Sequence, residues 1–541
     1  MDVKHCRGGC GTIAPGLMGR EKKSIMAWID ELFSGNRSRN CTENGTPKEK
    51  NMNPRWKTIP SIATVYIVAA VLLIAIPGLD FYIRSPLLTI LATGAAVLAG
   101  IFLSRKAVRF FERETAFQSL EPLAGDGKSL GKSRLVLLAA FSLPRLLLLL
   151  ILPHEMESDF LFYINSATEY AQGSFPNTPF LVGMAPNCIL FIWMLGSFFK
   201  FFGCSYYAAF AFDFIFGAGS VLLLEHIAGK FLNRKLSFVV ALIYALLPSH
   251  VLFAMLPSTE KVTVFALLLG EALVLWALEC KRTIPALLAA LAAGAVLAVS
   301  ASIRPIAPLL LAGLLVALLV REKKASPVWK QLLVLGMALV VFFGSAALLD
   351  GFTTSLVGGT KADSSLGWAL FEGLDVESGG TWLEKNSRIA DEVLANYPTN
   401  ELNAVFLQKT WERVSTYSLG TWVKLFMYKN MNLWLENSYS LFALYFLMDQ
   451  GWLEMVLFLF VAAVLIVGHL LWMVTFAFLL LRWAKSRKGS FYAVTVHLIP
   501  ILCLMAWHSL GTSIPRYHYV VIPYLLLLTF VVLKDIARPD G

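Results

Sequence analysis

The sequence is poor in charged residues and has no cysteine pattern typical of a metal site. Only 15% of its 541 residues are Asp, Glu, Lys or Arg, whereas 57% are hydrophobic, and the mean hydropathy is +0.65. The seven cysteines include no C-x-x-C pair, so the sequence supports neither a zinc site nor a disulfide framework. We also expect no cleavable signal peptide, because the first apolar run starts near residue 59 and no small-residue cleavage pattern follows it.

Long apolar runs make up much of the sequence. Runs of about 18 residues or more are long enough to cross the hydrocarbon layer as helices, and they recur along the chain. They predict an all-α polytopic membrane protein with about twelve spans. The predicted spans are 59–77, 86–103, 134–153, 207–229, 236–253, 261–278, 284–303, 305–320, 329–349, 452–482, 491–510 and 514–533.

The formal charge of +10 indicates basic cytoplasmic loops in such a protein, and we predict no nucleic-acid partner. The apolar segment 186–203 decides the orientation. If it crosses the membrane, the basic loops around Lys230, Lys281, Arg321 and Arg482 fall outside. We therefore predict that 186–203 lies along the membrane interface and that both termini are cytoplasmic, which places every one of those loops inside.

This topology divides the chain into six regions. We expect residues 1–51 to be dispensable, since this part of the basic tail has no apolar periodicity. The regions are a cytoplasmic tail (1–57), a transmembrane hairpin (58–103), a cytoplasmic linker (104–133), a transmembrane core (134–349) with outer loop 154–206, an outer-loop subdomain (350–451) and C-terminal transmembrane helices (452–541).

An acidic stretch follows the first core helix. Glu155, Glu157 and Asp159 lie within five positions, and no Lys or Arg occurs between Arg145 and Lys200. Acidic residues beside a helix end are often only a solvated loop. The predicted topology, however, brings Glu260, Arg304 and Arg516 to the same outer face, which favours a site there.

Several short motifs follow one another along the chain. They are Asp159-x-x-x-Tyr163…Ala167…Gly173, Ala185-Pro186, Pro248, Pro257-Ser258-Thr259-Glu260, Ile303-Arg304-Pro305, Gly373-Leu374-Asp375…Ser378-Gly379-Gly380-Thr381-Trp382, Lys429-Asn430…Trp434 and Pro515-Arg516-Tyr517-His518-Tyr519…Pro523. Their order resembles that of the GT-C membrane glycosyltransferases, and the resemblance covers residues 134 to 534. Within these, the chain is most similar to bacterial members of family 39, the protein O-mannosyltransferase and lipid A aminoarabinose transferase relatives.

The resemblance implies an inverting transfer of a sugar from a polyprenyl-phosphate donor to a lipid, cell-envelope glycan or protein acceptor, on the outer face of the cell membrane. Such a reaction needs a carboxylate that takes the proton of the acceptor hydroxyl and cations that bind the phosphate. We assign Asp159 as the general base. The predicted substrate-binding residues are Glu155, Glu157, Tyr163, Glu260, Arg304, Arg516, Tyr517 and His518.

Several alternatives stay open. Glu155 and Glu157 compete with Asp159 as the base. One of them could bind a divalent cation together with Asp159, and this cation is the one possible cofactor that the sequence indicates. Glu260 could order the first loop, bind a metal or pair with Lys261 or an arginine. A lipid-linked-sugar flippase would show inverted repeats, which we do not find. An O-antigen ligase or polymerase would use arginines in the large outer loop, which here has only Arg388 and Arg413.

Overall fold

The computed structural model describes most of the chain from residue 127 onward, together with a short helical segment at 98–110. The described residues are 95, 98–110, 127–152, 156, 158–320, 327–359, 361–434, 439–441, 443–444, 451–486 and 491–537. The tail 1–57, nearly all of the hairpin 58–103 and part of the linker 104–133 lie outside them. The predictions made for those parts are therefore not addressed by the structure.

The described residues form helices connected by turns, and no β-strand occurs among them. The core begins with α1 (Gly127–Ile151), α2 (Ser158–Ala171), α3 (Pro179–Gly183), α4 (Cys188–Phe202), α5 (Tyr206–Phe231), α6 (Arg234–Leu246), α7 (Pro248–Phe253), α8 (Thr259–Glu279), α9 (Thr283–Ile303), α10 (Ala307–Val320) and α11 (Val328–Leu356). The segment predicted as an outer-loop subdomain contains α12 (Leu366–Gly373), α13 (Glu384–Asn396), α14 (Leu402–Val414) and α15 (Leu419–Trp434). The C-terminal region has α16 (Trp452–Ser486), α17 (Phe491–Leu510), the 3-10 helix Pro515–Val521 and α18 (Ile522–Ile536).

Eight of the described helices are long and apolar enough to cross a bilayer, which makes the chain a polytopic α-helical membrane protein. They are Gly131–Ile151, Tyr206–Phe231, Thr259–Glu279, Thr283–Ile303, Val328–Leu356, Trp452–Lys485, Tyr492–Leu510 and Pro515–Ile536. Large apolar side chains on α1, α11 and α16 are exposed, such as Leu150, Phe343 and Trp452. In a membrane these faces contact lipid rather than water.

Two predicted spans differ from the structure. The segment 236–253 is broken into α6 and α7, because Pro248 lacks the N–H that would continue the helix and instead begins a new one. The segment 305–320 forms α10, whose 14 residues reach only about 21 Å at 1.5 Å per residue. None of the three helices α6, α7 and α10 is long enough by itself to cross about 30 Å of hydrocarbon.

The segment 186–203 forms α4, a 15-residue apolar helix that is also shorter than a typical span. It packs along α2, and the two backbones approach closely at Gly196. A Cβ atom at that position would lie 2.6 Å from the carbonyl oxygen of Ala167, so only glycine fits without a shift. This packing fixes α2, and with it the residues at its N-terminal end.

The transmembrane core is centred on α8, which is the most enclosed of the helices in the first part of the chain. It packs against α5 and α9, and small residues allow the helices to approach closely. A Cβ atom at Gly294 of α9 would lie 2.4 Å from the carbonyl oxygen of Ala338 on α11. This close packing determines where the N-terminal end of α8 and the C-terminal end of α9 lie, and both ends carry residues of the candidate site.

Candidate active site

Asp159 lies in the first turn of α2, at the edge of the site. Its side chain keeps 39% of its surface accessible. The preceding residue, Ser158, has φ of 57°, a left-handed conformation that is uncommon for residues other than glycine. The chain therefore turns sharply just before Asp159, and the packing of α2 on α4 holds the carboxylate in place.

Two arginines from distant segments meet beside this carboxylate. Arg304 follows the last residue of α9, and Arg516 lies in the 3-10 helix that begins at Pro515. A guanidinium nitrogen of Arg516 donates to Asp159 Oδ2. The same arginine places its Nε 3.4 Å from Glu260 Oε1, while Arg304 donates to that oxygen at 2.5 Å. Asp159, Glu260, Arg304 and Arg516 thus form one group, which we call the arginine cluster.

Glu260 is the buried member of the arginine cluster, with 1% of its side chain exposed. It lies in the first turn of α8, and a second ion pair fixes that turn. Lys261 donates to Asp213 Oδ2 on α5 at 2.7 Å, and the backbone N–H of Ser258 donates to the same oxygen at 2.8 Å. Of the open alternatives for Glu260, the structure therefore shows pairing with arginines, whereas Lys261 pairs with Asp213.

Aromatic rings line the arginine cluster. The guanidinium carbon of Arg304 lies 4.7 Å from the ring centre of Tyr517, and that of Arg516 lies 5.8 Å from the same ring. Arg516 also lies 5.7 Å from the ring of Phe160. Tyr163 is one turn further along α2, where its ring packs against Phe191 and is almost fully buried. Tyr517 therefore contacts the arginine cluster directly, whereas the Tyr163 ring packs between α2 and α4.

His518 lies apart from the arginine cluster. Its ring is fully buried, its Nδ1 is 2.7 Å from the carbonyl oxygen of Leu433, and it stacks on His469 and Trp434. These contacts give it a packing role between the C-terminal segment and α15. His518 was predicted as a site residue because it is only two positions from Arg516 in the sequence.

Arg145, a buried cation within α1, is bound by backbone groups. Among the described residues its guanidinium donates to the carbonyl oxygens of Phe141 and Ala245 at 2.8 Å each. The guanidinium also stacks on the ring of Phe141, 3.8 Å from its centre.

Glu155 and Glu157, the other carboxylates of the acidic stretch, lie outside the described residues. Their competition with Asp159 for the role of base therefore stays a prediction. Within the described part of the chain, no group of three His, Cys, Asp or Glu side chains is arranged to hold a metal ion. The divalent cation considered for the acidic stretch would be bound by Asp159 together with one of these two glutamates, so it also stays a prediction.

A second polar group lies where the end of α12 and α15 meet the end of α17. Glu372 accepts a hydrogen bond from the Thr512 hydroxyl at 3.0 Å. Lys429, fully buried on α15, donates to the carbonyl oxygens of Gly373, Leu510 and Gly511. We call Glu372, Lys429 and the groups that they bind the loop anchor. The sequence did not indicate this group, because Lys429 occurs only within a short motif and Glu372 is one of several acidic residues in its segment.

The glycine-rich turn after α12 also belongs to the loop anchor. Gly379 and Gly380 have φ values of 65° and 81°, and the carbonyl oxygen of Gly380 accepts a hydrogen bond of 2.8 Å from the N–H of Ser513. A Cβ at Gly380 would lie 2.9 Å from the Cγ of Lys429. The turn is therefore hydrogen-bonded to the segment that leads to Arg516.

Electrostatics differ between the two groups. Burial raises the pKa of Asp159, but the positive charges of Arg516 and then Arg304 outweigh it and leave the pKa below 3.8. In the loop anchor, burial raises the pKa of Glu372 to about 7 and lowers that of Lys429 to about 7. Asp159 is therefore ionised in the free protein, whereas both members of the loop anchor titrate near neutral pH.

The loop tryptophans divide between packing and exposure. Trp434 is buried against His518, and Trp368 packs on Phe371 and Phe406. Trp382 and Trp411 keep 62% and 71% of their surfaces exposed. The rings of Trp434 and Trp368 therefore contribute to packing within the fold.

The arginine cluster combines what anion recognition and proton transfer require: two permanent cations, an accessible carboxylate and aromatic walls. The residues come from four segments that are far apart in the chain. No protein-family profile, no curated protein and no solved structure matches this chain, so its chemistry has to be argued from this cluster.

Proposed function

We propose that this chain is a membrane glycosyltransferase of the GT-C type, similar to family 39. It would transfer a sugar from a polyprenyl-phosphate donor to an acceptor hydroxyl, with inversion, on the outer face of the membrane. The observation that supports the proposal best is the arginine cluster, in which Asp159, Arg304 and Arg516 converge although they are far apart in sequence.

Arg304 and Arg516 suit the phosphate of such a donor. Arginine offers a planar fork of donors with a permanent charge, which matches phosphate oxygens. Glu260 and Thr259 orient Arg304 through hydrogen bonds of 2.5 and 3.0 Å. In the transfer, the bond between the anomeric carbon and the phosphate oxygen breaks and both of its electrons go to the phosphate. The two arginines would stabilise the negative charge that develops there.

Asp159 suits the role of general base. The acceptor hydroxyl oxygen would form the new bond to the anomeric carbon, and its proton would pass to the carboxylate of Asp159. A single displacement needs only one such base. The carboxylate is accessible, and it forms an ion pair with Arg516, which would bind the phosphate of the leaving group. The apolar faces of the membrane helices would accommodate the polyprenyl chain.

The test is a transfer assay on the purified protein in nanodiscs, with a panel of radiolabelled polyprenyl-phosphate sugars and a membrane lipid extract as acceptor. Asp159→Asn should lower the transfer rate about 100- to 10,000-fold, because a positioned base typically contributes that much. Arg516→Ala should weaken donor binding and turnover together. Glu169→Gln removes an exposed carboxylate from the same helix and should leave the rate unchanged.

Two results would count against the assignment. If the wild-type protein transfers none of the sugars, the proposed reaction is wrong. If Asp159→Asn stays active while Glu155→Gln or Glu157→Gln does not, the base is one of those two glutamates.

A further inference from the structure

The arginine cluster is electrically balanced before any substrate binds. Two arginines face two carboxylates, Asp159 and Glu260, and every member contacts a member of opposite charge. A phosphate diester would add one negative charge to this largely buried group. Because an uncompensated charge is costly in such surroundings, the cluster must release one of its own carboxylates when the phosphate binds.

The two carboxylates are not equally free to leave. Glu260 is 1% exposed and contacts both arginines. Asp159 is 39% exposed, and Arg516 is its ion-pair partner among the residues that the structure describes. An anion that approaches from the accessible side therefore competes with Asp159, whereas Glu260 stays in place and keeps both guanidinium groups oriented.

We propose that Asp159 occupies, in the free protein, the position on Arg516 that the donor phosphate takes, so that donor binding displaces this carboxylate and frees it for the acceptor. This inference rests on the proposed function and adds an order of events to it. The base becomes available only when the donor is bound, which protects the site from premature proton transfer.

The electrostatics agree with this order. Burial alone raises the pKa of Asp159, and the charge of Arg516 is the largest influence that holds it below 3.8. Once Arg516 binds phosphate instead, burial is no longer opposed by that charge and the pKa rises. A carboxylate with a higher pKa is a better acceptor for the proton of a hydroxyl group.

The inference makes an unusual prediction for a catalytic residue, because removing the charge of Asp159 should tighten donor binding. In the wild type, the phosphate must first break the ion pair between Asp159 and Arg516, which reduces its apparent affinity. Asp159→Asn and Asp159→Ser should each bind farnesyl phosphate roughly two- to fivefold more tightly, given the strength of a partly exposed ion pair. Glu169→Gln, with the same change of charge on α2, should bind like the wild type.

The measurement is equilibrium binding of farnesyl phosphate to each purified variant by isothermal titration calorimetry in detergent, with farnesol as the uncharged control. Equal or weaker binding by both Asp159 variants would overturn the exchange but leave the proposed function standing. Equal tightening by Glu169→Gln would also overturn it, since the effect would then be long-range electrostatics. Failure of every protein, the wild type included, to bind farnesyl phosphate would overturn both the exchange and the proposed donor.

Discussion

Lys429 allows a strong test of how the helices α12 to α15 are attached to the end of α17. Its ammonium group is fully buried and donates to three carbonyl oxygens, one at the end of α12 and two at the end of α17, including that of Leu510 at 3.0 Å. Replacing it by methionine keeps a side chain of similar length but removes every donor. Three buried carbonyl groups then lose their partner.

The expected cost follows from these contacts. A hydrogen bond from a charged donor contributes about 1.5–3 kcal/mol, and part of that gain is offset by burial of the charge. At about pH 6, below the pKa of about 7 that Lys429 has in the folded protein, the ammonium form predominates. At that pH the substitution Lys429→Met should lower the free energy of unfolding by about 3–5 kcal/mol, the usual range for removing one partner from a buried charged interaction. The loss should concentrate where the loop anchor joins the chain, at residues 373–381 and 510–513.

Two measurements check this prediction, namely the thermal unfolding midpoint in detergent and hydrogen exchange of peptides that cover those residues. Lys424→Met is the matched control, because Lys424 is exposed on the same helix. We expect a lower midpoint and faster exchange for Lys429→Met only. If the two variants unfold at the same temperature and exchange equally, the three carbonyl contacts do not hold the loop and the reasoning is refuted.

Two further predictions concern protonation and topology. Glu372 has a raised pKa of about 7 in the folded protein, so the folded state keeps a proton that the unfolded chain releases above about pH 4.5, and this residue costs stability progressively as pH rises to 7. Glu372→Gln should thus unfold like the wild type near pH 4.5 and be more stable by about 2–3 kcal/mol at pH 8, and a difference that does not grow with pH in thermal scans would contradict the shift. For topology, single cysteines at Arg234 and Lys281 should not react with a membrane-impermeant reagent in intact cells, because 186–203 is predicted not to cross the membrane. Labelling of these cysteines from outside would refute both the predicted topology and the outer location of the site.

Much of the fold could be predicted because membrane helices depend on length and composition. The segments that became α5, α8, α9, α11, α16 and α17 are long, apolar and bounded by charged or turn residues, so their positions follow from the sequence. The prediction was wrong for 236–253, where Pro248 starts a separate helix. It also overestimated 305–320, which is too short in the structure to cross on its own.

The sequence predicted which residues form the candidate site better than it predicted the contacts between them. Helix ends on one predicted face were enough to group Asp159 with Glu260, Arg304 and Arg516. The partner of each residue depends on packing between distant segments, and Asp159 and Arg516 are 357 positions apart. His518 was grouped with Arg516 by proximity in sequence, but the 3-10 helix directs its ring into the packing around Leu433.

The loop anchor could not be predicted because it depends on a close backbone contact. A Cβ atom at Gly373 would lie 2.3 Å from the carbonyl carbon of Gly511, so the two glycines allow α12 to reach the end of α17. Only this contact brings Lys429 within reach of both segments. A single sequence shows the two glycines and the lysine but gives no reason to associate them.

Two adjacent residues of α8 explain why a costly buried ion pair lies so close to the site. Successive residues of a helix point about 100° apart, so Glu260 and Lys261 necessarily face different neighbours. Lys261 binds Asp213 on α5, and both side chains are almost fully buried. Such a pair contributes little net stability, since the desolvation of two charges offsets their attraction. Its effect is to fix the rotation of the first turn of α8, because Lys261 is held by Asp213 Oδ2 at 2.7 Å and by the carbonyl oxygen of Leu256 at 2.6 Å. With that rotation fixed, Glu260 faces Arg304 and Arg516, and the two guanidinium groups are oriented before any anion arrives.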